Sequence, residues 1–301
     1  DAAIRKKRPR IRAGQLIGRR NHKGGLHKML NRRDVIYTYD GSFEGLMSVV
    51  FDCYSHHEYP FDICPDENMQ TVLFCDSVYS ATDPVKSDRV IRSIIKKISP
   101  AAFYHLYCAY LSESAGKEMK IFDFIADGYR YGASIINRLN LDSARNLMQI
   151  AKATASEAYL YLGFIRFQKL QNNVYYGEIE PKGHVLPLVA HHFRERFSSM
   201  PFIINDLTHR ECLIYNGKNT EMRYTDAPPE LAHAEDEADI QALWREFYDT
   251  ITIKERRNEK CRMTMMPKRY WRCMTEFQQN LHASADSTKP IQKENKKIYL
   301  D

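Results

Sequence analysis

The spacing of apolar residues changes near residue 163, and this change constrains the fold more than any other feature of the chain. Before it, apolar residues recur every three or four positions over stretches of helical length. After it come apolar runs of strand length, at 163–170, 174–181, 201–207 and 211–217. A helical stretch, 185–197, lies between the second and third runs. We therefore expect an α+β protein with a mostly helical N-terminal part and a small antiparallel sheet of order strand-strand-helix-strand-strand.

Start and stop signals divide the helical part. The run Val35–Tyr39 predicts a strand, and Ser42 is expected to cap the helix after it; residues 71–79 predict a second strand. The pairs Asp83-Pro84 and Ser99-Pro100 are typical helix starts, and a third helix is expected over 117–139. Asp142 is expected to cap a fourth helix, which ends at the C-terminal glycine Gly163.

Composition and charge divide the chain further. The predicted segments are a basic flexible tail (1–33), a mostly helical part (34–162), an antiparallel sheet part (163–224), an acidic linker (225–239), a helical basic segment (240–279) and a polar tail (280–301). The net charge is +6. Residues 1–33 contribute +11 and residues 254–272 contribute +6, so the remainder carries −11. Basic residues that are confined to two segments favour a defined docking surface, rather than the uniformly basic surface of a histone-like protein.

Residues 254–272 (KERRNEKCRMTMMPKRYWR) hold eight Lys or Arg against two Glu, with Tyr270-Trp271 among them. Clustered cations neutralise phosphates, and aromatic rings beside them stack on bases, which favours nucleic acid. The alternatives are a solvated helix face and, for the two aromatics, a place in the core.

The seven cysteines form no C-x-x-C pair, and the sequence has no secretory signal and no long apolar run. We expect free thiols, a cytoplasmic location, no membrane contact and no cofactor or bound metal. His184, His191 and His192 could join Asp206 around a metal, but their spacing matches no known ligand pattern.

Several long motifs resemble one bacterial family: VIYTYDGSFEGLMSVVFDCY (35–54), GFIRFQ (163–168), VLPLVAHHFRERF (185–197) and TIKERRNEKCRMTMMPKRYWRCMTEF (252–277). Members are labelled probable DNA metabolism or DNA repair proteins. They are encoded beside a putative DNA-modification radical SAM protein, and a related domain is fused to uracil-DNA-glycosylase-type domains. The family pattern before the G-F-x-R-F strand is basic or carries a histidine, where this chain has Tyr159-Leu160-Tyr161-Leu162. If that position contacts DNA in the family, Tyr159 or Tyr161 would have to do so by stacking.

The resemblance and the residue types together predict a DNA-contacting set. Its members are Lys254, Arg256, Arg257, Asn258, Lys268, Arg269, Tyr270, Trp271, Arg166 and Arg196. The catalytic candidates are Asp206, His192 and Glu178. Glu178 and Glu180 lie on one face of a strand and could form an acidic pair with Asp206, as a metal-dependent nuclease would need. For Asp206 an ion pair with Arg166 or Arg196 is favoured over catalysis.

We therefore expect a DNA-binding accessory protein in DNA repair or base modification, acting with DNA and with a radical SAM enzyme or a uracil-DNA-glycosylase-type protein. Whether it is itself an enzyme stays open, with the accessory role favoured. One alternative is a metal-dependent nuclease or base-processing hydrolase. Another is a protein-interaction adaptor without DNA contact, whose basic segment forms ion pairs with the acidic linker.

Overall fold

The computed structural model describes residues 30–69, 75–225, 231–251 and 258–277. The chain forms two compact units that divide between Ser93 and Ile94. This boundary lies inside a helix, whereas the sequence predicted a division at residue 162. Within the described ranges, no helix has the length and apolar composition needed to cross a membrane. All seven cysteines are free thiols, as predicted.

The first unit is built on a parallel three-stranded sheet. Its elements are β1 (Asn31–Arg32), β2 (Val35–Tyr39), α1 (Phe43–Ser55), β3 (Glu58–Tyr59), β4 (Asp62–Pro65) and β5 (Asp76–Tyr79). Strand β2 lies between β4 and β5 and is fully buried, while β1 pairs with β3. Residues 31–32, which the sequence placed in the tail, are thus part of a sheet; residues 1–29 lie outside the described residues. Ser42 caps α1 by accepting from Gly45 N, as predicted.

Four helices open the second half of the fold: α2 (Pro84–Lys97), α3 (Pro100–Tyr110), α4 (Lys117–Tyr131) and α5 (Asp142–Phe164). Ser99 caps α3 as predicted, and α4 ends in a 3-10 helix at Gly132–Asn137. The predicted ends of α5 are each off by one residue. Leu141 is the N-cap and Asp142 lies in the first turn, while Gly163 lies inside the helix, which ends at Phe164.

The second unit contains a five-stranded sheet. Its elements are β6 (Phe167–Lys169), β7 (Tyr175–Ile179), α6 (Leu186–Phe197), β8 (Phe202–Asp206), β9 (Glu211–Tyr215) and β10 (Thr220–Tyr224), and the strand order is β10-β9-β8-β7-β6. The predicted strand-strand-helix-strand-strand order is confirmed, and the fold is α+β. The sheet is mixed rather than wholly antiparallel, because the chain crosses over through α6 and so sets β7 parallel to β8. Strand β10, an edge strand, was not predicted.

The remaining described elements are α7 (Glu237–Thr250), α8 (Glu259–Met265) and a 3-10 helix (Lys268–Cys273). The core of the second unit brings α5, α6, the sheet and this C-terminal part together. Its largest members are Tyr161, Phe193, Phe197, Phe202, Tyr215, Tyr270, Trp271 and Phe277. Glu237, predicted to lie in the acidic linker, is buried and accepts a hydrogen bond from Lys169 N. Residues 226–230 of that linker lie outside the described residues.

Candidate functional site

The aromatic pair of the basic segment is part of the core. Tyr270 is 2% exposed and packs edge-on against Tyr161, with 5.1 Å between ring centroids. Trp271 is 8% exposed, stacks on Phe277, and donates from Nε1 to Met266 O over 2.9 Å. Neither ring presents a face to a base, so the expectation that one of them stacks on DNA is wrong. The physical reason is that burying two large aromatic rings contributes more to the stability of the fold than leaving them exposed on a short 3-10 helix.

The predicted cations of this segment differ in how they are held. Arg269 makes an ion pair of 2.8 Å with Glu157, which is only 7% exposed. Lys268 is exposed, with Nζ 5.8 Å from the Trp271 ring centroid. Asn258 is the N-cap of α8, where its side chain accepts from Cys261 N. Lys254, Arg256 and Arg257 lie outside the described residues.

The two predicted arginines outside this segment also differ. Arg166 forms a two-pronged ion pair with Glu276, with Nη2 to Oε1 at 2.7 Å and Nε to Oε2 at 3.1 Å, and it lies over the Trp244 ring. Burial would raise the pKa of Glu276, but Arg166 and a hydrogen bond from Trp244 hold it below its ordinary value. Arg166, just before β6, therefore connects α7 with the segment around Glu276. Arg196 is exposed in the last turn of α6.

The predicted acidic pair does not form. Ile179 pairs with Asp206 and Glu178 pairs with Asn205, so Glu178 and Asp206 project from opposite faces of the sheet. Glu178 instead accepts from the Tyr176 hydroxyl at 2.9 Å. The expected ion pair of Asp206 with an arginine is also wrong, because Asp206 Oδ2 lies 2.7 Å from His209 Nδ1.

His192, the third catalytic candidate, lies on α6 away from these acids. Its ring packs edge-on against Phe193. Its Nε2 is buried and has no hydrogen-bond partner among the described residues. Among the described residues, no acid or base therefore hydrogen-bonds to this nitrogen.

A largely apolar groove with two cations, Arg145 and Lys152, runs along α5, and the sequence did not predict it. Its volume is about 950 Å³, and its lining residues are His105, Ile136, Asn137, Leu139, Arg145, Met148, Gln149, Lys152, Ala155, Ser156, Tyr159 and Leu160. None of these twelve described residues is acidic, although Asp142 next to the groove pairs with Arg145. Tyr159 is 74% exposed. Its neighbour two positions on, Tyr161, is buried, so only Tyr159 of the two tyrosines can meet a base.

A cluster of histidines and carboxylates lies at one end of the sheet. Asp206 ends β8 and Glu211 begins β9, and as Cα partners they share one face. His209 lies in the turn between them, His184 precedes α6, and Glu113 precedes α4. The rings of His184 and His209 lie 4.0 Å apart, centroid to centroid, at 32°.

Each histidine of this cluster is held by a carboxylate. His184 Nδ1 lies 3.1 Å from Glu211 Oε1, and His184 Nε2 lies 3.2 Å from Glu113 Oε1. The hydrogen bonds to Glu113 and Glu211 outweigh burial and raise the pKa of His184 to about 9. Asp206, which is fully buried, also accepts from Thr208 N and His209 N and so fixes the turn.

Sequence reasoning considered His184 and Asp206 here but missed Glu113, His209 and Glu211. The one local signal was Asp206 three residues before His209, a spacing at which an Asp side chain caps a turn. Glu113 lies 71 positions before His184 and comes close only through the tertiary fold.

The fold and these sites define an α+β protein with a groove that holds an exposed tyrosine and two cations, and with a separate histidine–carboxylate cluster. The sequence profile of a family described as a domain of unknown function, DUF4130, matches residues 115–276. Because the match covers more than half of the 301 residues, the chain belongs to that family. No curated protein and no solved structure matches the chain.

Proposed function

We propose that this chain is a DNA-binding accessory protein in DNA repair or base modification in the cytoplasm. The observation that carries the proposal is the groove on α5, where an exposed Tyr159 shares a helix with Lys152 and Arg145 and no carboxylate lines the largely apolar wall. On a chain whose body is acidic, a surface of this kind selects an anionic ligand with a flat face. A nucleotide has both properties, because its phosphate is anionic and its base stacks.

The groove divides the contacts between two kinds of side chain. Tyr159 offers a ring for one base, and Lys152 and Arg145 lie about two and about four helical turns before it on α5. Lys152 is then placed for a phosphate next to the stacked base, and Arg145 for one further along the strand. Stacking of a base on an aromatic ring requires an unpaired base, so the groove favours single-stranded DNA or an unstacked nucleotide. Lys268 and Arg196, both exposed, supply further phosphate contacts that carry no sequence information.

The test is fluorescence anisotropy with a labelled single-stranded oligonucleotide and its duplex over a range of salt concentrations. Tyr159→Ala removes a stacking contact worth about 1–3 kcal/mol, a loss of roughly 5- to 150-fold in affinity. Lys152→Gln with Arg145→Gln removes two phosphate contacts and makes the slope of log K against log salt shallower by about 1.4. Tyr224→Ala, which removes a tyrosine 84% exposed on β10, is the matched control. Wild-type affinity in Tyr159→Ala contradicts the proposal.

A second candidate function, a protein-interaction adaptor, is favoured by the exposed face of α7. Apolar side chains recur there at helical spacing and face solvent: Ile240, Leu243, Phe247 and Ile251. Such a stripe is typical of a helix that docks on another protein. Among the described residues, the ion pairs of the basic segment run to Glu157, Glu180 and Glu259.

We propose a radical SAM enzyme as the partner at this face, with a uracil-DNA-glycosylase-type protein as the other candidate. Co-expression followed by co-purification tests the two partners separately. Leu243→Ser with Phe247→Ser is expected to abolish capture. Val85→Ser, at an exposed apolar position on α2, is the matched control. Capture that survives the double substitution contradicts a role for α7.

A further inference from the structure

We propose that Glu113, His184 and His209 bind a divalent transition metal ion. One ligand atom from each lies within 4.8 Å of the others. Two imidazoles and one carboxylate form a donor set that zinc and iron(II) both accept. The site is separate from the groove and goes beyond the DNA-binding role.

The carboxylates behind the two rings hold Nδ1 of each ring and leave Nε2 as the ligand atom. Since a carboxylate only accepts hydrogen bonds, His209 carries its proton on Nδ1, toward Asp206. His184 donates from Nδ1 to Glu211, and its Nε2 donates to Glu113 when no metal is bound. A metal ion at His184 Nε2 therefore displaces that proton to solvent, whereas Nε2 of a neutral His209 is already unprotonated. A carboxylate that holds the far nitrogen of a metal-binding histidine recurs in metal sites, where it orients the ring and makes it more basic.

The distances are close to those that a metal requires. Bonds of 2.0–2.1 Å in a tetrahedral site place neighbouring ligand atoms about 3.3 Å apart. His184 Nε2 and Glu113 Oε1 are already 3.2 Å apart. The third ligand atom needs to close by at most about 1.5 Å from the 4.8 Å limit. Glu113 is exposed and lies in a loop, so its side chain can follow.

The three ligands leave one coordination position open. Structural zinc sites are closed by four protein ligands, whereas catalytic sites keep a position for water or substrate. The side chain of Glu113 is 57% exposed and that of His209 is 10% exposed, so the cluster is open on the side of Glu113. A water molecule or a phosphate oxygen fits this position.

The experiment uses the full chain in a Cys261→Ser background, because Cys261 is an exposed thiol that itself binds soft metals. The protein is stripped with a chelator and titrated with Co²⁺, whose visible d–d bands report the ligand geometry. We expect one Co²⁺ per chain, displaced by Zn²⁺. Metal analysis of the protein as purified then distinguishes zinc from iron.

Two substitutions and a control decide the assignment. Glu113→Gln removes a ligand, and we expect it to weaken Co²⁺ binding at least tenfold. Asp206→Asn keeps an oxygen for the turn but places an NH₂ group against His209 Nδ1. We expect it to lower the affinity for Co²⁺ roughly 10- to 100-fold. Glu195→Gln breaks an exposed His191–Glu195 pair on α6 that resembles the cluster in type alone, and it should change nothing.

Thermal unfolding without metal checks that each variant folds. Equal Co²⁺ binding by the wild type, Glu113→Gln and Glu195→Gln would overturn the proposal. Absence of d–d bands typical of nitrogen and oxygen ligation would overturn it as well.

Discussion

Two arginines of the C-terminal 3-10 helix make ion pairs of the same length in different surroundings. Arg269 and Arg272 each lie 2.8 Å from a glutamate, but the side chains of Arg269 and Glu157 are 36% and 7% exposed, whereas those of Arg272 and Glu180 are 72% and 27% exposed. Removing one partner of a buried pair leaves a desolvated charge, while exposed pairs contribute little. We expect Arg269→Ala to lower the free energy of unfolding by about 1–3 kcal/mol, and Arg272→Ala by less than about 0.5 kcal/mol.

Urea unfolding of both variants measures the difference. In Glu157→Gln the buried charge is absent, so Arg269→Ala should cost clearly less in that background than in the wild type. An equal cost in both backgrounds would show that Arg269 acts through its packing over the Tyr270 ring instead.

The lowered pKa of Glu276 leads us to expect that the protein loses stability in acid. Its pKa lies below the ordinary value of 4.5 in the folded protein, so the charged form stabilises the fold fully above that value. This contribution is lost as the pH falls from 4.5 through the folded pKa. We expect the stability difference between wild type and Glu276→Gln to be constant near neutral pH and to shrink below pH 4.5. Denaturant unfolding of both proteins from pH 7 to pH 3 measures this stability difference. A difference that grows as the pH falls would contradict the prediction.

At the scale of elements, the sequence and the structure predict opposite effects of alanine at Gly163, near the end of α5. As a C-terminal cap, Gly163 would need a left-handed backbone, and alanine there would be strained. In the structure it lies inside the helix, and an added Cβ meets no atom within 4 Å. We therefore expect Gly163→Ala to stabilise the protein by up to about 1 kcal/mol.

Gly183 supplies the matched contrast for that prediction. A Cβ at Gly183 would lie 2.8 Å from the backbone oxygen of Leu111, which cannot move aside as a flexible side chain can. Gly183→Ala should therefore destabilise the protein. Thermal unfolding of the two variants compares them directly, and a lower melting temperature for Gly163→Ala would restore the cap interpretation.

Local sequence signals predicted the helices and strands well, but they did not predict contacts between residues far apart in the sequence. Ser42 and Ser99 act within three residues of themselves, so their caps could be read from the sequence. The parallel pairing of β7 with β8 depends on where α6 carries the chain, which no short motif encodes. The same holds for Glu113, which reaches His184 across the fold. Tyr270 and Trp271 were ambiguous because the same rings suit a base and a core.

At the scale of the whole molecule, the proposed sites belong to one of the two compact units. The groove on α5, the histidine–carboxylate cluster and the C-terminal basic segment all follow Ile94. The core of this unit is formed by its own helices and sheet. The unit should therefore carry both proposed binding activities by itself.

A fragment over residues 83–301 tests this. It starts before Ile94 because α2 must stay whole: Ile94 and Ile98 are buried, and Ile98 fills the space beside Gly128. We expect one cooperative thermal transition and a near-ultraviolet circular dichroism signal from the buried Tyr270 and Trp271. The fragment should also bind the oligonucleotide with the same dependence on Tyr159 as the full chain. A fragment that folds cooperatively but loses this binding would assign the first unit a direct part in DNA recognition.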